Sequence, residues 1–278
     1  MSHAKPTIIF FHGLNTYGDD LLHIGPVNLG RMDRYLVPEL EKHSVHIVSI
    51  DGIGDGTPEA QADTAMKQIS QMPNVDGPIH LLGNSLGGLV ARVVATKMKV
   101  ASVMSWGSPH LGAGAADLAL KFPERYPKMT EALKKIGYVV GKNSDVYRHY
   151  SSDGLEDFNR RYPLRSTTPE HSFVCAVPLK DVSPYFWPFY GPLHGVGPLD
   201  FAKGIVTSAT LDRLGRAPDS DGFITVASQS RGQVHGPYYL DHFVQAGFIS
   251  MLPRPSQRKR ALPEFQKLCS EIAAVALK

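Results

Sequence analysis

Thr7–Phe11 is an unbroken run of β-branched and aromatic residues that ends at His12-Gly13, the pattern of a strand buried on both faces and closed by a glycine turn. A run without polar alternation predicts a parallel sheet covered on both sides. The spacing of apolar positions then predicts a helix over Arg31–Lys42 in spite of Pro38, a strand over Val45–Ile50, and a helix over Glu59–Met72 with Thr57 as its N-cap. Pro78–Leu82 reads as a strand, Leu86–Met98 as a helix and Val100–Trp106 as a strand, a beat that suits right-handed βαβ crossovers. No segment repeats at a solenoid period.

After Gly107-Ser108-Pro109-His110 this rhythm breaks over residues 111–170, far beyond the ordinary connection of about 4–6 residues. Ala115–Lys121 and Met129–Val140 carry helical patterns, so the expectation is one domain over 1–278 with 111–170 inserted as a helical cap or lid. Strand character returns at Ser172–Val177, followed by Asp181–Gly197, a proline- and glycine-rich stretch holding Tyr185, Phe186, Trp187, Phe189 and Tyr190. Those aromatics fit either an acyl pocket or lipid-facing loop, or the packing of a rigid connection. Phe223–Ala227 reads as a last short strand, Phe243–Ile249 as a helix and Pro263–Leu277 as a closing amphipathic helix.

Composition narrows the classes. With 278 residues, 42% of them apolar and 20% charged, the chain can bury a large core, and its formal charge of +3 is too small to point to nucleic acid. The basic group Arg254, Arg258, Lys259 and Arg260 lies beside prolines and reads as a solvated linker. No apolar run approaches the ~18–20 residues of a membrane span. Met1–Pro6 lacks the apolar stretch of an export signal, so the expected location is cytoplasmic, or secreted if a signal was removed. Cys175 and Cys269 have neither metal-ligand nor CxxC spacing and are expected to be free thiols; no cofactor motif is present.

The chemistry centres on Gly83-Asn84-Ser85-Leu86-Gly87-Gly88, a G-x-S-x-G between a predicted strand and a predicted helix. A serine on such a turn is strained and exposed, and the flanking glycines let strand and helix approach. Its hydroxyl becomes a nucleophile only with a base, and the oxyanion it creates needs backbone donors. The Leu86 N–H at the helix start and the Leu14 N–H in the loop after the first strand are the candidates. Where serine is followed by the acid and then histidine, Asp221 is favoured over Asp219 because Gly222 and an apolar run follow it. His242, directly before an apolar segment, is favoured as base over His235, which lies in a glycine/proline turn, and over His12, which comes too early. Asp241 reads as a helix N-terminal residue rather than the acid.

With those residues in order, the chain resembles the bacterial triacylglycerol lipases of the α/β-hydrolase superfamily, the group typified by Pseudomonas and Proteus lipases. The matching pieces are Phe11-His12-Gly13-Leu14, Gly83-Asn84-Ser85-Leu86-Gly87-Gly88-Leu89-Val90-Ala91-Arg92, Phe158-Asn159-Arg160-Arg161-Tyr162-Pro163, Ser220-Asp221-Gly222 and Asp241-His242. The resemblance implies a mostly parallel sheet flanked by helices, a triad of Ser85, Asp221 and His242, and a lid before Phe158. It implies hydrolysis of acyl esters, acylglycerols among them, with contact to a lipid–water interface. Phospholipase, thioesterase and short-chain esterase activities use the same triad and stay open, as does a non-catalytic binding module on this fold. One departure concerns metal: the position two after His242, where these lipases carry a calcium-binding aspartate, is Val244, which cannot ligate a hard cation.

Overall fold

In the computed structural model, the residues described are 5–13, 21–24, 27–31, 33–51, 56–73, 77–114, 116, 117, 120, 127, 131, 144–163, 167–178, 181–183, 220–249 and 255–278. The apolar runs form six strands of one sheet: β1 (Thr7–Phe11), β4 (His46–Ile50), β5 (Ile79–Asn84), β6 (Ser102–Trp106), β7 (Glu170–Cys175) and β8 (Gln233–Tyr238). Every pairing is parallel, in the spatial order β4-β1-β5-β6-β7-β8. Between β1 and β4 lie a hairpin of β2 (Leu21–Ile24) and β3 (Val27–Arg31), which the sequence reading omits, and α1 (Asp33–Glu41). The β2 and β3 segments are too short and mixed in pattern to signal strands.

β1 explains why its run lacks polar alternation. Ile8 and Phe10 join one core cluster with α1 and the final helix, while Ile9 and Phe11 join a second cluster beneath α2 (Pro58–Gln71) and α3 (Gly87–Lys97). Trp106 stacks on Phe10 in the first cluster, with ring centroids 5.5 Å apart. Thr57 caps α2 as expected: its hydroxyl accepts from the Ala60 N–H at 3.2 Å, and Pro58 occupies the first turn. Cys175 and Cys269 are buried free thiols.

Within 111–170 two helices are described, α4 (Ser144–Tyr150) and α5 (Ser152–Arg161). Tyr150, Leu155 and Phe158 are buried in the second core cluster, and buried Arg92 of α3 donates to Asn159 Oδ1 at 2.8 Å while lying over the Phe158 ring. The helical pattern at Met129–Val140, apart from Glu131, and most of that at Ala115–Lys121 fall outside the described residues, as do Tyr185–Tyr190. No described helix is long and apolar enough to cross a membrane.

Four expectations need correction. Phe223–Ala227 is not a strand: Thr225 caps α6 (Val226–Gln229), accepting from Ser228 N–H, and only a lone bridge joins Ser220 to Thr225. The Gly-Pro run around His235 is strand β8, which tolerates Pro237 because it is the last strand of the described sheet and its register against β7 shifts there. Phe243–Ile249 winds only as a short 3-10 turn, Val244–Ala246, ended by Gly247 at φ +90°. The closing helix α7 runs Pro255–Ala276, so Arg258, Lys259 and Arg260 are on its first turns rather than in a linker, and Arg260 lies 3.4 Å over the Tyr239 ring.

His110 gives a test of the packed core. The side chain is buried and its Nε2 lies 2.9 Å from Ser105 Oγ; burial, with Arg92 and Arg231 adding to it, pushes the imidazole well below 6.5. The folded ring is therefore neutral while the unfolded ring takes a proton, and stability falls as pH drops below about 6.5. His110→Gln is expected to flatten that fall by up to about 1.4 kcal/mol per pH unit, read from urea melts between pH 7 and pH 5.

Candidate active site

In a parallel sheet, ligands gather beyond the carboxyl ends of the strands. That is where the turn after β5 places Ser85, with φ +51°, a left-handed conformation rare for a side-chain-bearing residue. Two close approaches hold the turn. A Cβ on Gly83 would stand 2.2 Å from the backbone of Gly87 and Gly88, and one on Gly87 would stand 2.2 Å from the Phe11 carbonyl oxygen. Only glycine lets strand β5, helix α3 and the end of β1 meet this tightly. The Ser85 N–H donates to the Trp106 carbonyl at 2.9 Å, tying the turn to β6.

His242 and Asp221 reach Ser85 from the far end of the chain. His242 Nε2 lies 3.0 Å from Ser85 Oγ, and His242 Nδ1 lies 2.7 Å from Asp221 Oδ2. A proton on Nδ1 satisfies the carboxylate and leaves Nε2 to accept from the serine hydroxyl. Asp221 is fully buried; its Oδ1 accepts from the N–H groups of Phe223 at 3.0 Å and Ile224 at 2.7 Å, and its backbone oxygen from His242 N–H at 2.8 Å. The two loops are thus fixed to each other independently of the side-chain contact.

Asp241 stands apart from this chain of contacts, as the sequence reading expects. Its carboxylate accepts from the N–H groups of Phe243 and Val244 at 3.0 and 2.9 Å and from Ser183, capping the 3-10 turn that follows His242. Burial pushes its carboxyl up, opposed by those hydrogen bonds. His235 is engaged elsewhere, 3.1 Å from His171 Nδ1 and stacked on Phe173.

Of the two oxyanion candidates, the Leu86 N–H at the start of α3 donates to no acceptor among the described residues. Leu14 lies outside the described residues, as does Asp219. The residue before Leu14, Gly13, is described, and a Cβ there would come within 3.1 Å of Ser85 Cβ, so the chain leaving β1 packs against the serine at Gly13. Beyond it, His12, Asp33 and Asp51 form the one possible metal-ligand group among the described residues. The position between the two carboxylates is taken by Arg31, whose Nη2 lies 2.6 Å from Asp33 and 2.8 Å from Asp51. Val244 is buried in the first core cluster.

A family model of the palmitoyl protein thioesterases matches residues 7–154, more than half of the chain. The chain belongs to the palmitoyl protein thioesterase family. The matched span of this thioesterase-family chain carries Ser85 and the loop after β1 but stops short of Asp221 and His242. The family model is thus one of thioesterases rather than of the Pseudomonas and Proteus lipases that the motifs resemble. No curated protein sequence matches the chain. Among solved structures, the chain is similar to a metagenomic carboxyl esterase, at 16% identity and a TM-score of 0.62, covering 96% of this chain and 77% of that one. It is also similar to a Bacillus licheniformis lipase in mature form, at 17% identity and a TM-score of 0.55, covering 96% and 92%. A Staphylococcus hyicus lipase matches at 12% identity and a TM-score of 0.55, covering 99% and 97%. At such identities these likenesses establish the α/β-hydrolase fold of this thioesterase-family member.

The sequence reading passed over Gln245. Its side-chain amide lies beside both Asp221 and His242. The only signal was its place three residues after His242, within an otherwise apolar stretch.

Proposed function

We propose that the protein is a serine hydrolase of acyl esters. The observation that carries this is the line of contacts from Asp221 through His242 to Ser85, at 2.7 and 3.0 Å, on the carboxyl edge of a parallel sheet. Ser85 Oγ attacks the acyl carbonyl while His242 Nε2 takes its proton, and Asp221 holds the imidazolium that results. The Leu86 N–H, with that of Leu14, binds the oxyanion. His242 then gives the proton to the departing alkoxide or thiolate, and water, deprotonated by the same ring, releases the acid and restores Ser85.

Lipid acyl esters, acylglycerols among them, are the substrate class we favour: the resemblance to lipases and the lipase and esterase neighbours support it. Exposed Leu111, five residues past the carboxyl end of β6 and next to buried His110, is in keeping with an apolar substrate. A second reading, hydrolysis of S-acyl thioesters, is favoured by the family match. The insertion 111–170 is proposed to cover the site as a lid.

Paired oxygen esters and thioesters of the same acyl chains, from four to sixteen carbons, assayed below and above micelle formation, test both readings. Hydrolysis of long acyl chains that rises sharply above micelle formation is expected for a lidded lipase. A higher kcat/KM on every thioester than on its oxygen ester would favour the second reading, and no turnover in either series would overturn the proposal.

A further inference from the structure

Asp221 is a carboxylate with no exposure and, among the described residues, one potential cationic partner, His242. Such a group is stable in its charged form only if its lone pairs are met by donors. Three are already accounted for: Phe223 N–H and Ile224 N–H on Oδ1, and His242 Nδ1 on Oδ2. The fourth is the side-chain amide of Gln245, whose Nε2 lies 3.1 Å from Asp221 Oδ2 and 2.8 Å from His242 Nδ1. Gln245 is itself fully buried.

The place of the amide carries the argument. Its oxygen, Oε1, is buried and meets no hydrogen-bond partner among the described residues, while its nitrogen faces the carboxylate. In this orientation Nε2 donates to Asp221 Oδ2, and His242 Nδ1, itself a donor to the same oxygen, is a neighbour of the amide rather than its acceptor. Space for this comes from Gly107 after β6: a Cβ there would stand 2.2 Å from Gln245 Nε2. The backbone fixes the other end, with Gln245 N–H donating to the Asp241 carbonyl at 2.9 Å.

We propose that Gln245 is a positioning residue for the hydrolytic site, holding Asp221 Oδ2 on His242 Nδ1 so that Nε2 faces Ser85. The inference rests on the reading of Ser85, His242 and Asp221 as the reacting set. The amide does not touch substrate. A second donor on Oδ2 prevents the carboxylate from rotating away when the ring becomes charged, so its loss acts on the chemical step rather than on substrate binding.

The experiment compares wild type, Gln245→Met and Gln245→Glu, with turnover counted per site titrated by a fluorophosphonate so that unfolded molecules drop out, and Ser85→Ala, which has no site to titrate, with turnover counted per folded chain. Gln245→Met keeps length and removes the donor; Gln245→Glu keeps size and sets a carboxylate against Asp221, and decides the matter should the methionine variant fail to fold. In Gln245→Met kcat is expected to fall about tenfold or more, as for loss of a hydrogen bond to a charged group, with KM within about twofold. Gln245→Glu is expected to fall further. A per-site kcat within about twofold of wild type in the folded variants, or a change in KM alone, would overturn the positioning role. Ser85→Ala separates the two levels: if it retains turnover, the reading of the site itself fails, whatever Gln245 does.

Discussion

Replacing Ser85 with alanine is expected to lower kcat/KM for a p-nitrophenyl ester by about 10⁴-fold or more while the melting temperature stays near that of wild type. The size follows from the geometry. The hydroxyl lies 3.0 Å from His242 Nε2, and without it the imidazole loses the proton it is placed to take. Residual turnover comes from the oxyanion donors and binding alone. Stability is unaffected because the positive φ of +51° at this position is imposed by the β5–α3 turn and borne equally by alanine. The readout is steady-state hydrolysis alongside a thermal melt; a variant that keeps most of its turnover contradicts the assignment of the nucleophile.

Gly87→Ala is expected to do the opposite, destroying activity through the fold. The added methyl carbon would lie 2.2 Å from the Phe11 carbonyl oxygen, 2.6 Å from that of His12 and 2.8 Å from the Phe11 carbonyl carbon. All three are backbone atoms of the interior strand β1 and of His12 directly after it, so no side chain can swing aside to relieve the clash. Separating α3 from β1 would open the second core cluster, where Leu89, Val90 and Val93 pack against Ile9 and Phe11. The cost is expected to be at least about 3 kcal/mol, read as a lowered urea midpoint, with soluble yield falling in step. A Gly87→Ala protein with wild-type stability would mean that helix and strand do not approach this closely.

Much of this arrangement is legible in the chain. The buried runs of β1 and β5 announce themselves because both faces of a parallel sheet are covered, and Gly83, Gly87 and Gly88 mark the turn where backbone meets backbone. Asp221 and His242 could be chosen by order and by neighbours, and the structure brings both to Ser85. What escaped has physical causes. The β2–β3 hairpin is short, and β8 carries Gly236-Pro237, a pair that speaks for a turn unless the strand sits at the sheet's edge. The start of α7 was hidden by Pro263, which looks like a first-turn residue, whereas Pro255 occupies that place. Gln245 escaped because its role depends on a carboxylate 24 positions away, a distance over which a single sequence carries no pattern.

Labelling with an alkyl fluorophosphonate, followed by mass spectrometry of the proteolysed enzyme, addresses the nucleophile without regard to which ester is the substrate. The expected result is one adduct per chain on the peptide containing Ser85, absent in Ser85→Ala and slowed by about 10³-fold or more in His242→Ala. An adduct on another residue, or no adduct on folded protein, would contradict the assignment of Ser85, His242 and Asp221 as a hydrolytic site.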